Sequence, residues 1–182
     1  MMDIVKRVLI TEEEIHNRVR ELAAQISEDY AGKELLLLCI LKGGLMFLAD
    51  LAKHITVPVT MDFIGISSYG HATRSSGVVR ITKDLEESIE GKHVLIIEDI
   101  IDSGLTLSYL MNNLAIRKPA SLKICTLLDK QVNREVDIPV DYVGFTVPNE
   151  FLVGYGLDYC ELYRNIPYIF VLDSKYYTSD ME

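Results

Sequence analysis

Short apolar runs recur along the chain at spacings that suit buried strands. The segment Leu35–Leu41 is apolar throughout, which is typical of a strand covered on both faces in a parallel sheet. Further runs of strand length lie within Val57–Ile66 and at Val94–Ile97, Leu122–Leu128, Tyr142–Val147 and Tyr168–Leu172. We expect each of these runs to form a strand.

Apolar residues at helical spacing fill three of the intervening segments. The first begins at Thr11, where Thr11-Glu12-Glu13-Glu14 has the pattern of a capping box. The second follows Gly44, and the third runs from about Ser103 to Ile116. Strands that alternate with helices in this way predict an α/β fold with a doubly wound, mostly parallel sheet flanked by helices.

Length and composition indicate one ordinary globular domain. The chain has 182 residues, of which 49% are hydrophobic and 25% charged, so we expect a single domain over residues 1–182. Its first residues lack the apolar core of a signal peptide, and no apolar stretch approaches the roughly 20 residues that span a bilayer. We therefore expect a cytoplasmic protein with no membrane partner.

The net charge of −9 argues against a nucleic-acid partner, because such binding rests on a basic surface. It also means that a polyanionic substrate would need local cations, metal ions and backbone N–H groups. The cysteines Cys39, Cys125 and Cys160 are far apart beside apolar residues, which favours buried reduced thiols over disulfides or a metal cluster.

The strongest chemical signal follows the strand Val94–Ile97. Two acids, Glu98 and Asp99, come directly after it, and the segment Asp102–Thr106 then leads into a helix. A glycine, two hydroxyl side chains and free N–H groups at a helix start suit a phosphate monoester. The alternative is that Asp102 or Ser103 caps the helix while both acids are solvated. The polar segment Ser67–Arg80 is a candidate lid over such a site.

These residues resemble the phosphoribosyl pyrophosphate motif of type I phosphoribosyltransferases. The resemblance extends to Leu41-Lys42-Gly43-Gly44 as the pyrophosphate loop and to Ser68-Tyr69 as the flexible loop. Lys130 and the segment Phe151–Tyr159 are similar to the base-binding hood of the hypoxanthine-guanine branch. The likeness covers about residues 10–172.

The resemblance implies both a fold and a reaction. The fold would be that of type I phosphoribosyltransferases, with a small hood subdomain formed by the N-terminal segment and about residues 145–182. The reaction would join hypoxanthine or guanine to the ribose of phosphoribosyl pyrophosphate, giving IMP or GMP and pyrophosphate with the help of Mg²⁺. A homodimer or homotetramer is implied as well.

The resemblance also implies a role for each matched residue. Asp102 would be the general base at N7 of the purine. Phosphoribosyl pyrophosphate would be bound by Lys42, Gly43, Glu98, Asp99, Asp102, Ser103, Gly104, Leu105, Thr106 and Arg164, with Arg134 as a further candidate. The purine would be bound by Lys130 at O6, Phe151 by stacking, Leu152 by its backbone and Asp158 nearby. Magnesium would be held by Glu98, Asp99 and Asp158.

Several alternatives stay open at this point. Phe151 by itself could be a core residue, and Lys130 or Arg134 a solvated one. In this family a peptide bond of the pyrophosphate loop is often cis, which leaves Leu41–Lys42 and Lys42–Gly43 as candidates. The rival functions are phosphoribosyl transfer to xanthine, adenine, uracil or orotate, and a regulator that binds phosphoribosyl pyrophosphate without catalysis.

Overall fold

The residues that the structure describes form a six-stranded sheet and a three-stranded sheet. The computed structural model describes residues 2–68 and 79–177. Within those ranges the strands are β1 (Val5–Ile10), β2 (Leu35–Leu41), β3 (Val59–Ser68), β4 (Val79–Lys83), β5 (His93–Ile101), β6 (Ser121–Asp129), β7 (Tyr142–Thr146), β8 (Leu152–Val153) and β9 (Ile169–Leu172). The α-helices are α1 (Glu12–Asp29), α2 (Leu45–His54) and α3 (Leu105–Ala115).

Strand β2 lies in the middle of the larger sheet, whose order is β4-β3-β2-β5-β6-β7. All neighbours are parallel except β4, which is antiparallel to β3. Successive side chains of β2 enter different cores, because they point to opposite faces of the sheet. Leu37 and Cys39 pack with α1 and α2, whereas Leu38 and Ile40 pack with α3. The predicted doubly wound, mostly parallel sheet is confirmed.

Helix α1 begins at the predicted capping box. The Thr11 hydroxyl accepts a hydrogen bond from the Glu14 N–H at 3.2 Å, and the Glu14 carboxylate accepts one from the Thr11 N–H at 2.8 Å. The buried face of the helix consists of Ile15, Val19, Leu22, Ala23 and Ile26. Among the described residues, no helix has both the length and the apolar character needed to cross a membrane.

The smaller sheet has the order β1-β9-β8 and is antiparallel. It covers a core of its own, formed by Ile4, Val153, Ile166, Phe170 and Leu172. The apolar pattern predicted β9 but neither β1 nor β8. Strand β1 is mostly exposed and carries Lys6 and Arg7, and β8 has only two residues, so neither presents an apolar run.

Two expectations about boundaries and one about burial need correction. Strand β5 continues to Ile101, so Glu98 and Asp99 lie within the strand. Strands β3 and β4 take up both ends of the predicted loop Ser67–Arg80, and Tyr69 with the rest of that loop lies outside the described residues. Cys39 and Cys125 are buried free thiols as expected, but Cys160 is exposed because it lies in a tight surface turn.

The capping box yields a stability prediction. Thr11→Ala should lower the free energy of unfolding by about 0.5–2 kcal/mol, because the Glu14 N–H loses its acceptor. Thr11→Ser keeps that oxygen and should be nearly neutral. Denaturant unfolding of the three proteins measures the difference, and equal stability of the two variants would contradict the capping role.

Candidate active site

A cavity of about 310 Å³ lies at the carboxyl ends of β2 and β5. These two strands are neighbours, but the chain leaves β2 for β3 on one side and returns to β5 on the other. Ligands of open α/β sheets bind at such a switch point. The polar residues of the lining are Glu98, Asp99, Asp102, Ser103 and Thr106.

The turn before α3 is built to leave backbone N–H groups free. Gly104 is the N-cap residue with φ of +83°, and no side chain in the described part of the chain caps the helix. The Ser103 hydroxyl lies 3.4 Å from the Leu105 nitrogen, which is too long for a strong hydrogen bond. The alternative in which Asp102 or Ser103 caps this helix is therefore wrong. The first turn of α3 can accept an anion through its N–H groups.

Glu98 and Asp99 are half-buried at the carboxyl end of β5, so the alternative of solvated acids is wrong as well. Asp99 accepts a hydrogen bond from the Ile100 N–H at 2.8 Å, and Glu98 accepts one from the Asp99 N–H at 3.1 Å. Desolvation, with the Asp99 charge beside it, raises the pKa of Glu98 well above its usual value. Two half-buried carboxylates of this kind favour a cation in the cavity.

Burial and the charges of Glu98 and Asp99 also affect the pKa of the Cys39 thiol. Cys39 lies on β2, and burial together with the charges of Glu98 and Asp99 raises its pKa to about 12. The thiol therefore stays protonated near neutral pH and is a poor nucleophile. Cys39 belongs to the core behind the site and not to its chemistry.

Gly43 lies in very close contact with two other segments. A Cβ atom at Gly43 would fall 1.7 Å from Asp99 Oδ2, and a Cβ at Gly156 would fall 2.1 Å from the Gly43 carbonyl oxygen. Gly156 has φ of +101°, a region that essentially only glycine occupies. The peptide bond Leu41–Lys42 is cis. The segments that contain Gly43, Asp99 and Gly156 are thus in direct contact, and only glycine fits at positions 43 and 156.

Asp102 and Lys130 lie side by side because of strand register. Ile101 and Asp129 are the last residues of β5 and β6, and they pair with each other. Asp102 and Lys130, which follow them, therefore lie opposite each other. Lys130 Nζ is 3.6 Å from Asp102 Oδ2, and the two side chains are 11% and 50% exposed. Lys130 is thus buried, contrary to the alternative of a solvated lysine. At 3.6 Å the ammonium is paired electrostatically but is still able to donate to a ligand.

Arg134 supports this corner of the site. Its guanidinium forms an ion pair with Asp129 and donates to the Asp102 carbonyl oxygen at 3.2 Å. Asp129 is buried and also accepts a hydrogen bond from Gln131. Arg134 is therefore engaged with the scaffold of the turn, and the alternative that it is simply solvated is wrong.

The aromatic residue Phe151 lies at the edge of the smaller sheet. It is 39% exposed, so it is not a core residue. Its ring stacks on Tyr177 with centroids 5.3 Å apart and meets the edge of Tyr159 at 5.9 Å. The structure thus brings Phe151 together with two other aromatic rings. Leu152 follows it as the first residue of β8.

Four charged side chains form a group that we call the hood ion-pair group: Lys42, Asp158, Glu161 and Arg164. Lys42 Nζ is 2.6 Å from Glu161, and one terminal nitrogen of Arg164 is 2.8 Å from Asp158 and 3.3 Å from Glu161. Arg164 also donates to the Gly156 carbonyl oxygen at 2.8 Å. Glu161 carried no sequence signal, because an isolated glutamate in a polar segment has no distinctive pattern.

Comparisons with known proteins agree with this geometry. Residues 11–160 match the family model described as phosphoribosyl transferase domain. A hypoxanthine-guanine phosphoribosyltransferase of Bacillus subtilis is 55% identical, over 96% of this chain and 97% of its own length. The crystal structure of a hypoxanthine phosphoribosyltransferase from Staphylococcus aureus superimposes with a TM-score of 0.93 at 52% identity, covering 96% of this chain and 95% of its own.

A longer relative also matches. The bifunctional protein TilS/HprT of Listeria monocytogenes is 51% identical over 98% of this chain, which spans 28% of that protein. Taken together, these matches show that the chain belongs to the phosphoribosyltransferase family, with the type I fold. Within that family it is a member of the hypoxanthine-guanine branch.

The contact at Gly43 leads to a prediction about coupling. Gly43→Ala should lower the free energy of unfolding by about 1–3 kcal/mol, because its Cβ overlaps the Asp99 carboxylate. In an Asp99→Ala background the overlapping atoms are gone, and the same substitution should cost at least about 1 kcal/mol less. Denaturant unfolding of the wild type, both single variants and the double variant measures this coupling. Strict additivity would show that the contact with Asp99 does not set the requirement for glycine.

Proposed function

We propose that the chain transfers the 5-phosphoribosyl group from phosphoribosyl pyrophosphate to N9 of hypoxanthine or guanine, giving IMP or GMP and pyrophosphate. The observation that carries this proposal is the Asp102–Lys130 pair directly beside the uncapped turn of α3. A 6-oxopurine has O6 and N7 on neighbouring positions of one edge. The Lys130 ammonium can donate a hydrogen bond to O6, and the neighbouring Asp102 carboxylate can accept one from a protonated N7.

The 5′-phosphate would bind at the turn before α3. Ser103 and Thr106 would donate through their hydroxyls, while Gly104 and Leu105 would contribute backbone N–H groups. The unoccupied cap of α3 supports this assignment, since a helix N-terminus favours an anion. The dipole and the N–H groups supply attraction that the acidic chain as a whole does not.

Glu98 and Asp99 would hold the ribose hydroxyls and Mg²⁺. Among the described residues no cluster of three or more His, Cys, Asp or Glu side chains is arranged as a metal site. Mg²⁺ usually binds to one or two carboxylates plus substrate oxygens and water, and Glu98 and Asp99 could supply those carboxylates. Bound there, the metal would neutralise charge on the leaving pyrophosphate. Asp158 would be a further magnesium contact. Its carboxylate pairs with Arg164, but each carboxylate oxygen has two lone pairs and can accept a second partner.

The leaving pyrophosphate would meet the backbone at Lys42 and Gly43 together with the side chains of Lys42 and Arg164. The two cations are bridged by Glu161 in the structure, so they lie close enough to hold one anion between them. The bond from N9 to C1 of the ribose forms as the bond from C1 to pyrophosphate breaks. Asp102 would then take the proton from N7.

The purine would lie against Phe151, with the Leu152 backbone reading its edge. The Phe151 ring is 39% exposed, which supports stacking against a base. The smaller sheet would act as the hood over the base. We further propose a cytoplasmic homodimer or homotetramer, which rests on the family resemblance.

The overall proposal has a direct test. The protein is mixed with phosphoribosyl pyrophosphate, magnesium and one base at a time, and nucleotide formation is followed. IMP and GMP should form, and adenine, uracil and orotate should be inactive. A nucleotide product from xanthine alone would favour the rival specificity, and no product with any base would favour the regulator.

Asp102→Asn tests the general base. It should lower turnover by about 100-fold to 10,000-fold, because an amide cannot accept the N7 proton. Stability should change by no more than about 1 kcal/mol, since Asp102 is 50% exposed. Asp84→Asn is the matched control: Asp84 is 52% exposed and pairs with Arg117 away from the cavity. Turnover of Asp102→Asn close to that of the control would remove Asp102 from the mechanism.

Lys130→Ala tests base recognition. A charge-assisted hydrogen bond to O6 is worth roughly 1.5–3 kcal/mol, so kcat/KM for hypoxanthine and guanine should fall by about tenfold or more. The KM for phosphoribosyl pyrophosphate should change less. Lys92→Ala, which removes an exposed lysine paired with Glu87, is the control. Unchanged kcat/KM for both bases would refute the assignment of Lys130 to O6.

A further inference from the structure

The hood ion-pair group contains an acid that takes the place of a ligand. Lys42 and Arg164 are the cations to which the proposed function assigns the leaving pyrophosphate. In the structure one oxygen of Glu161 is 2.6 Å from Lys42 Nζ, and the other is 3.3 Å from Arg164. A single carboxylate therefore bridges both cations in the same manner as an anionic ligand would.

The chain holds Glu161 there in an unusual backbone conformation. Cys160 and Glu161 have φ of +51° and +63°, and two backbone hydrogen bonds of 3.2 and 3.0 Å close the turn between Tyr159 and Leu162. A turn with two consecutive left-handed residues normally contains Asn and Gly. Asp158 secures the position by accepting a hydrogen bond from the Glu161 N–H at 2.9 Å.

The contact with Lys42 is easily given up. The two side chains are 68% and 65% exposed, and exposed ion pairs contribute little to stability. The hydrogen bond from Lys42, together with its charge, lowers the pKa of Glu161, so the carboxylate is ionised at neutral pH. Arg164 Nε is buried without a hydrogen-bond partner within the described residues, so the guanidinium is not fully satisfied in this arrangement.

We propose that Glu161 is an internal competitor of pyrophosphate. Its carboxylate pairs with Lys42 and Arg164 in the ligand-free enzyme, gives up these contacts when the diphosphate binds, and regains them when pyrophosphate leaves. This inference rests on the proposed function, because it takes the pyrophosphate site from it. Glu161 is thus a positioning residue that sets how tightly the product is held.

The sign of the effect distinguishes competition from a merely structural role. Removing the negative charge should strengthen pyrophosphate binding, because the anion no longer displaces a carboxylate or meets its charge. If Glu161 only kept Lys42 and Arg164 in place, its removal would weaken binding. Titration calorimetry with pyrophosphate at fixed magnesium measures this directly, and product inhibition by pyrophosphate measures it during turnover.

Glu161→Gln should lower the Kd and the inhibition constant of pyrophosphate by about threefold to tenfold. Glu161→Gly should do the same, and it also suits the positive φ, so a folding defect is not expected from it. Glu161→Asp keeps the charge and should stay closer to the wild type. Glu87→Gln, which removes an exposed carboxylate paired with Lys92 at 3.0 Å, should change nothing.

The outcomes separate the two proposals. A wild-type protein that forms no nucleotide overturns the proposed function. A wild type that forms IMP and binds pyrophosphate, with Glu161→Gln and Glu161→Gly changing its affinity by less than about twofold or weakening it, overturns the role of Glu161 alone. Tighter binding in both variants, with Glu161→Asp near the wild type, supports it.

Discussion

The close approach at Gly43 is the constraint on which the geometry of the site depends. Gly43 lies between the Asp99 carboxylate and the backbone at Gly156, and there is no room for a side chain at either contact. The end of β2, the acids of β5 and the turn after β8 therefore have fixed separations. Because Arg164 donates to the Gly156 carbonyl oxygen, the same contact also positions the Arg164 guanidinium of the hood ion-pair group.

Strand register gives the site its second fixed distance. The parallel pairing of Ile101 with Asp129 places Asp102 next to Lys130. The distance between them is therefore set by strand pairing and not by the conformation of a flexible loop. The buried Asp129 and its partner Arg134 then hold the turn that follows. Proposed catalysis and base recognition thus depend on rigid elements, which position groups more accurately than flexible loops do.

The parts of the structure that sequence could predict are those with local patterns. Strand β2 and helix α1 have an apolar run and a capping box, and both were predicted close to their true bounds. Cys160 was expected to be buried because of its neighbours, but those neighbours belong to a turn and not to a strand. The bridging position of Glu161 and the requirement for glycine at 156 arise from contacts between distant segments, for which a single sequence has no local signal.

The pairing of acids and bases around the cavity has a consequence for salt dependence. Lys42 and Arg164, the two cations of the hood ion-pair group, each have a carboxylate partner from the same chain. A polyanion that binds these residues therefore replaces one ion pair with another. Few counterions leave the protein, because its cations are already neutralised by carboxylates. Its affinity should then fall less steeply with ionic strength than that of a cleft with unpaired cations, which lets an acidic protein retain a phosphorylated ligand in the salt of the cell.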